Sequence, residues 1–143
     1  MFKPAGFYFY KTQDGGETVA STASHALLHW YMRTIPDLPG LPDPMPILEV
    51  VQTSAPHPGP YDPKFLMVVI GAIERTYGTA PEIASEFYEA RWYNNLPNGL
   101  SNHKTVVQAR RNGEPTVVAY EEVCLGILKW LEANGDVVGL EEP

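Results

Sequence analysis

Nine of the fourteen prolines in this 143-residue chain fall between Pro36 and Pro63. Each lacks an amide donor and sets its ring against the preceding turn, so helix is excluded through most of the segment. Regular structure is pushed to the two flanks. Inside the excursion Ile47 to Thr53, ILEVVQT, reads as one strand, and its proline borders suit a sheet edge or an arm reaching another subunit. A connection of this length is often functional or interface-forming.

The flanks rhyme. On the N-terminal side Phe7 and Phe9 alternate with Tyr8 and Tyr10, as side chains of a strand must, with Phe expected toward the core. Asp14-Gly15 supplies a type I′ hairpin turn, Thr18-Val19-Ala20 returns, and Ser21 or Thr22 caps a helix. Leu27, Leu28, Tyr31 and Ile35 form the expected buried stripe, and that helix ends before Pro36. On the C-terminal side Thr105 to Gly135 repeats the plan: a strand, an Asn112-Gly113 turn, a return over Thr116 to Ala119, then a helix. That last helix carries Glu121 and Glu122 in its first turn, a Val123, Ile127, Trp130 and Leu131 stripe, and Gly135 as its stop.

Between the flanks, Asp62-Pro63 and Gly78 delimit a helix whose Phe65 to Ile73 segment is apolar nearly all round. Thr79 and Pro81 then open a second helix with Ile83, Phe87 and Ala90 buried and Glu82, Glu86 and Glu89 in water. Residues 94–102, NNLPNGLSN, are turn formers. The expected fold is α+β. An antiparallel sheet is built from two β-hairpins, each followed by a helix, with two central helices and the proline-rich excursion 36–63. One domain covers residues 1–143, with hairpin-helix units 7–35 and 105–135 as a pseudo-repeat.

A chain of this length buries a core without a metal or disulfide staple. Ten basic residues against seventeen acidic give a net charge of -7, which argues against binding duplex nucleic acid through phosphate neutralisation. Cys124 is the single cysteine, so no internal disulfide forms and a cytoplasmic setting is expected. The N-terminus MFKPAGFYFYKTQDGG lacks the apolar stretch of a signal peptide, and the apolar run Phe65 to Ile70 is far short of a membrane span.

Motifs for chemistry are thin. His25 and His29 stand four apart on a helix, the spacing for two metal-bound imidazoles, but Ala26 occupies the place of a zinc peptidase's glutamate and no third ligand is evident. Cys124 sits in an amphipathic helix, the setting of a core thiol. No phosphate loop, nucleophile elbow or dinucleotide fingerprint occurs. No catalytic residue, metal or cofactor is therefore assigned.

Charge segregation is the exception. Ala90 to Gly113 holds Arg91, Lys104, Arg110, Arg111 and His103 and no acid, together with Trp92, Tyr93, Asn94 and Asn95. Cations, stacking rings and amides are the groups that hold phosphate, stack on a base and read its edge. Those nine residues form the expected binding site. So few cations suit a small anion better than a polynucleotide track.

The leading expectation is a non-catalytic binding protein that captures or sequesters a small anionic, nucleotide-like ligand. The alternative is a protein-protein interaction module or small inhibitor, of the kind phages and mobile elements encode, docking through its acidic surface. An enzyme using His25, His29 or Cys124 ranks third. Self-association is expected because the excursion is hard to bury within one domain, a two-fold dimer being the commonest outcome.

Overall fold

The N-terminal alternation produces β1 (Tyr8–Thr12), which a turn joins to β2 (Glu17–Ala20) in antiparallel register, with Phe9 opposite Val19 and Lys11 opposite Glu17. The chain is seen in a computed structural model that describes residues 6–34, 36, 38, 40, 63–81, 86–93, 104–111 and 113–143. The expected Ile47 to Thr53 strand lies outside the described residues, as do Ile35, Asp62, Glu82, Ile83 and Asn112.

The first turn differs in type from a two-residue loop. Gly15 N donates to Thr12 O at 3.0 Å and Thr12 N to Gly16 O at 2.9 Å, enclosing three residues with Gly15 at φ +86°. A type I turn closed by a left-handed residue needs glycine at that third place. Asp14 reinforces it, Oδ1 accepting from Gly16 N at 3.0 Å and from the Thr12 hydroxyl.

The expected separation of a Phe core face from a Tyr outer face does not hold. Tyr10 is fully buried, Phe9 is buried too, and Phe7 is exposed. β1 is the central strand of its sheet, flanked by β2 and by β6 (Val137–Glu141), so neighbours cover both of its edges, and the face that carries Tyr10 packs into the helical core. Tyr10 can enter the core because its hydroxyl donates to Ala26 O at 2.8 Å. β6 has no counterpart in the sequence reading. It pairs Val137 with Thr12 and Glu141 with Phe9 around an irregularity, where Gly139 takes φ +69°, the left-handed backbone that a bulge residue needs.

Helix α1 (Ala23–Thr34) starts at a Thr22 cap and buries Ala23, Ala26, Leu27, Trp30 and Tyr31. Helix α2 (Pro63–Tyr77) begins at its proline and stops at Gly78, burying Phe65, Leu66, Val69, Ile70 and Ile73 but exposing Met67. Helix α3 (Tyr120–Ala133) buries Val123, Cys124, Ile127, Leu128 and Leu131, with Trp130 half-buried. Its end is a Schellman turn: Gly135 N reaches Glu132 O at 3.0 Å and Asp136 N reaches Leu131 O at 3.1 Å. The three helices share one core with Tyr10 and Val137, and Tyr31 meets Phe65 edge-on with centroids 6.1 Å apart.

The second central helix expected over 79–90 is instead strand β3 (Glu86–Tyr93). It pairs with β4 (Lys104–Arg111), which pairs in turn with β5 (Glu114–Ala119), Gly113 just before β5 taking φ +80°. Glu86 and Glu89 are thus strand residues, not a helix face. The α+β class stands, with each hairpin followed by its helix: β1-β2-α1 and β4-β5-α3. Among the described residues the two hairpins lie in separate three-stranded antiparallel sheets, β2-β1-β6 and β3-β4-β5. Helix α2 contacts β3, and α3 contacts β4 and β5 as well as α1 and β6.

Candidate functional site

The described residues of the acid-free window up to Arg111 lie in β3 and β4, and the strand register decides which of them can act together. Tyr93 lies opposite Lys104, Arg91 opposite Val106, Glu89 opposite Gln108 and Glu86 opposite Arg110. Directly paired positions share a face, and so do alternate positions along one strand. Arg91, Tyr93, Lys104 and Arg110 therefore belong to one face. Trp92, opposite Thr105, and Arg111, opposite Glu114, belong to the other, along with Phe87, Ala90, Val107, Ala109 and Val118.

Spacing divides the first face further. The rungs of Arg91 and Tyr93 are two residues apart, about 7 Å, whereas Arg110 is six residues from Lys104, about 20 Å along the strand. Arg110 moreover stands opposite Glu86, a cross-strand arrangement of opposite charges. The ladder brings together Arg91, Tyr93 and Lys104 and does not bring Arg110 or Arg111 to them. Residues 94–103, which join the paired ends of β3 and β4, carry Asn94, Asn95 and His103; these three lie outside the described residues.

The histidine pair lies on α1, with His25 beside the start of that helix. His25 is half-buried and His29 exposed. Thr22 Oγ1 lies 2.6 Å from His25 Nδ1 and accepts the His25 backbone N–H at 3.1 Å. The adjacent amide, Ser24 N, donates to Glu121 Oε2 at 3.2 Å, and the Ser24 hydroxyl donates to Oε1 at 2.5 Å. Two of the amides left open at the start of α1 are thereby satisfied, one by its own cap and one by a carboxylate from α3. Hydroxyl, imidazole and carboxylate meet here, but Ser24 is fully buried, so the arrangement is a helix cap rather than an exposed nucleophile.

Burial lowers the His25 pKa, with Glu121 opposing and His29 adding to the effect. Burial first, and Glu121 second, push the Cys124 thiol well up, away from a reactive thiolate. Among the described residues no group of three or more His, Cys, Asp or Glu side chains is placed to hold a metal. No helix among them is long and apolar enough to cross a membrane. The Ser24–Glu121 contact was not legible in the sequence because its partners are 97 residues apart.

In comparisons with known proteins, no family model matches the chain, and no curated protein or solved structure matches it significantly.

Proposed function

We propose that this is a non-catalytic binding protein that captures a small anionic, nucleotide-like ligand at the Arg91, Tyr93 and Lys104 end of the β3-β4 ladder. The observation that carries the reading is the register: Tyr93 opposite Lys104, with Arg91 on the next rung of the same face. Two cations flanking an aromatic ring within about 7 Å suit one phosphate and one stacked base. The amides of Asn94 and Asn95 follow directly in the chain and are the natural donors to a base edge.

Thermal denaturation with a panel of mono-, di- and cyclic nucleotides tests this. A ligand at about one hundred times its Kd stabilises the fold by about 2.7 kcal/mol. Arg91→Gln and Lys104→Gln should each abolish the shift while leaving the unliganded Tm in place. No stabilisation by any member of the panel overturns the reading.

One observation favours a protein-docking module as the second reading. Phe7, Val19 and Val138, exposed at 39%, 39% and 51%, fall on the same face of the first sheet, since Phe9 pairs with Val19 and Lys11 with Val138. The same face carries Lys11, Glu17 and Glu141, and exposed apolar side chains bordered by charges suit a protein partner or a two-fold copy of the chain. Capture from host lysate at low and high salt, with mass by light scattering, separates these outcomes: an acid-steered contact weakens with salt and a self-pairing sheet face does not.

A further inference from the structure

Three side chains with donor atoms for a soft metal follow one another along the solvent face of α1: His25, His29 and Met32. At about 3.6 residues per turn they fall within about 60° of one another around the helix, about 6 Å and then about 4.5 Å apart along it. The opposite side of α1, with Ala26, Leu27, Trp30 and Tyr31, is in the core. His25 is half-buried, His29 is exposed and Met32 is 41% exposed. A cavity of about 290 Å³ opens on this face, lined by Leu28, His29, Met32 and Arg33. The guanidinium of Arg33 is drawn toward the first hairpin, reaching Thr12 Oγ1 at 3.2 Å and Glu17 O at 2.8 Å.

The bonds at the start of α1 decide which nitrogen of His25 is open. The Ser24 hydroxyl spends its proton on Glu121 Oε1, so the 3.1 Å contact between Thr22 Oγ1 and Ser24 Oγ takes its proton from Thr22. Thr22 then has none left, and its 2.6 Å contact with the imidazole is His25 Nδ1–H donating to Thr22 Oγ1. With the His25 backbone N–H, which that oxygen also accepts, both of its lone pairs are filled. Imidazole, two hydroxyls and a carboxylate form a directed relay that leaves the His25 lone pair on Nε2. Metal-binding histidines are oriented in this manner, the second ring nitrogen giving its proton to a fixed acceptor.

We propose that His25 Nε2, the His29 imidazole and the Met32 thioether bind a single monovalent copper ion. Helical side chains lean back over the preceding turn, which directs His29 toward His25 and the flexible Met32 toward His29. Burial is the first cause of the lowered His25 pKa, and the nearness of His29 adds to it, as two imidazoles on one face require. A thioether is a soft ligand that selects copper(I), and imidazole suits the same ion. Structural zinc takes four nitrogen, thiolate or carboxylate ligands, and no trio of His, Cys, Asp or Glu gathers among the described residues. Copper(I), content with low coordination, is served by two imidazoles and a sulfur.

The test titrates the full chain, without oxygen, against copper(I) held by the chromogenic chelator bicinchoninate. The chain should withdraw a single equivalent, and the ring protons of His25 and His29 and the Met32 methyl should shift together in NMR. Met32→Leu, close in volume, and His29→Gln should each weaken uptake about tenfold or more, since even outer contacts of a metal site carry that much. Both are surface changes and should leave the Tm of the metal-free chain in place. Zinc(II) should bind more weakly than copper(I) and respond to His29→Gln but not to Met32→Leu. The proposal is overturned by no uptake, by uptake undiminished in Met32→Leu, by zinc(II) binding as tightly as copper(I), or by uptake without a Met32 methyl shift, the mark of Cys124 as the ligand.

Discussion

Asp136 stands one place beyond the glycine that ends α3, and its Oδ2 receives the Trp30 indole N–H at 3.1 Å and the Tyr77 hydroxyl at 2.7 Å. One carboxylate thus joins the ends of three helices. Burial, and then the bond to Asp136, raise the Tyr77 pKa, while its ring packs edge-on against Trp130 at 5.3 Å. Asp136→Ala would orphan two donors, one of them on the fully buried Trp30, and should cost about 3 kcal/mol in urea denaturation. Asp136→Asn keeps an acceptor and should cost about 1 kcal/mol. Equal losses would show that the acceptor is not what matters. The stop at Gly135 was legible because local backbone chemistry dictates it. The use made of the next residue was not, since its partners are 106 and 59 residues away.

At the scale of the element, the start of α1 and the strand at 86–93 show what local pattern can and cannot carry. Thr22 was readable as a cap because its hydroxyl meets an amide three residues on, at 3.1 Å. Thr22→Ala should cost about 1 kcal/mol, with Thr22→Ser near neutral, measured as urea midpoints. His25, against that cap, adds a pH dependence. Its folded pKa is depressed below the ordinary value, chiefly by burial. Above the unfolded pKa of about 6.5 both states are neutral and stability is full; as pH falls below it, the unfolded chain takes up the proton first and stability declines. His25→Gln should flatten that decline, and an unchanged slope would remove His25 as its source. The misread strand has a different lesson. An irregularity between Phe87 and Glu89 puts Phe87 opposite Ala109 and Ala90 opposite Val107, and Glu86 and Glu89 opposite Arg110 and Gln108. Residues three apart therefore share a face of the strand, as they do on a helix. The bulge imitates helical spacing, so periodicity alone was bound to choose wrongly there.

Across the whole molecule, the α+β class and the hairpin-helix units were legible because turns, caps and stripes are local. Sheet membership was not. The third strand of the first sheet is recruited from afar, β6 joining β1 across the length of the chain, whereas β3 is the sequence neighbour of β4 and was missed because its spacing reads as helix. β6 itself is only VVGLE, broken by Gly139. Of the candidate site, the cation-rich composition was legible, but the split of Trp92 and Arg111 from Arg91 and Lys104 needed the register. The burial of Tyr10, also unforeseen, gives a global observable. Burial raises Tyr10 to about 12 and is the first cause of the upward shifts of Tyr8 and Tyr77. A tyrosine whose folded pKa exceeds its unfolded value of about 10 contributes stability that is full below that pH and is lost as pH rises toward the folded value, because the unfolded chain sheds the proton first. Among eight tyrosines, these three should ionise late in the native protein. An absorbance titration of the phenolate band, which Cys124 does not enter, should therefore lag in the native chain relative to the urea-unfolded chain. Tyr10→Phe should shorten that lag. Superimposable native and unfolded curves above about pH 10 would contradict the placement of Tyr10 beneath α1.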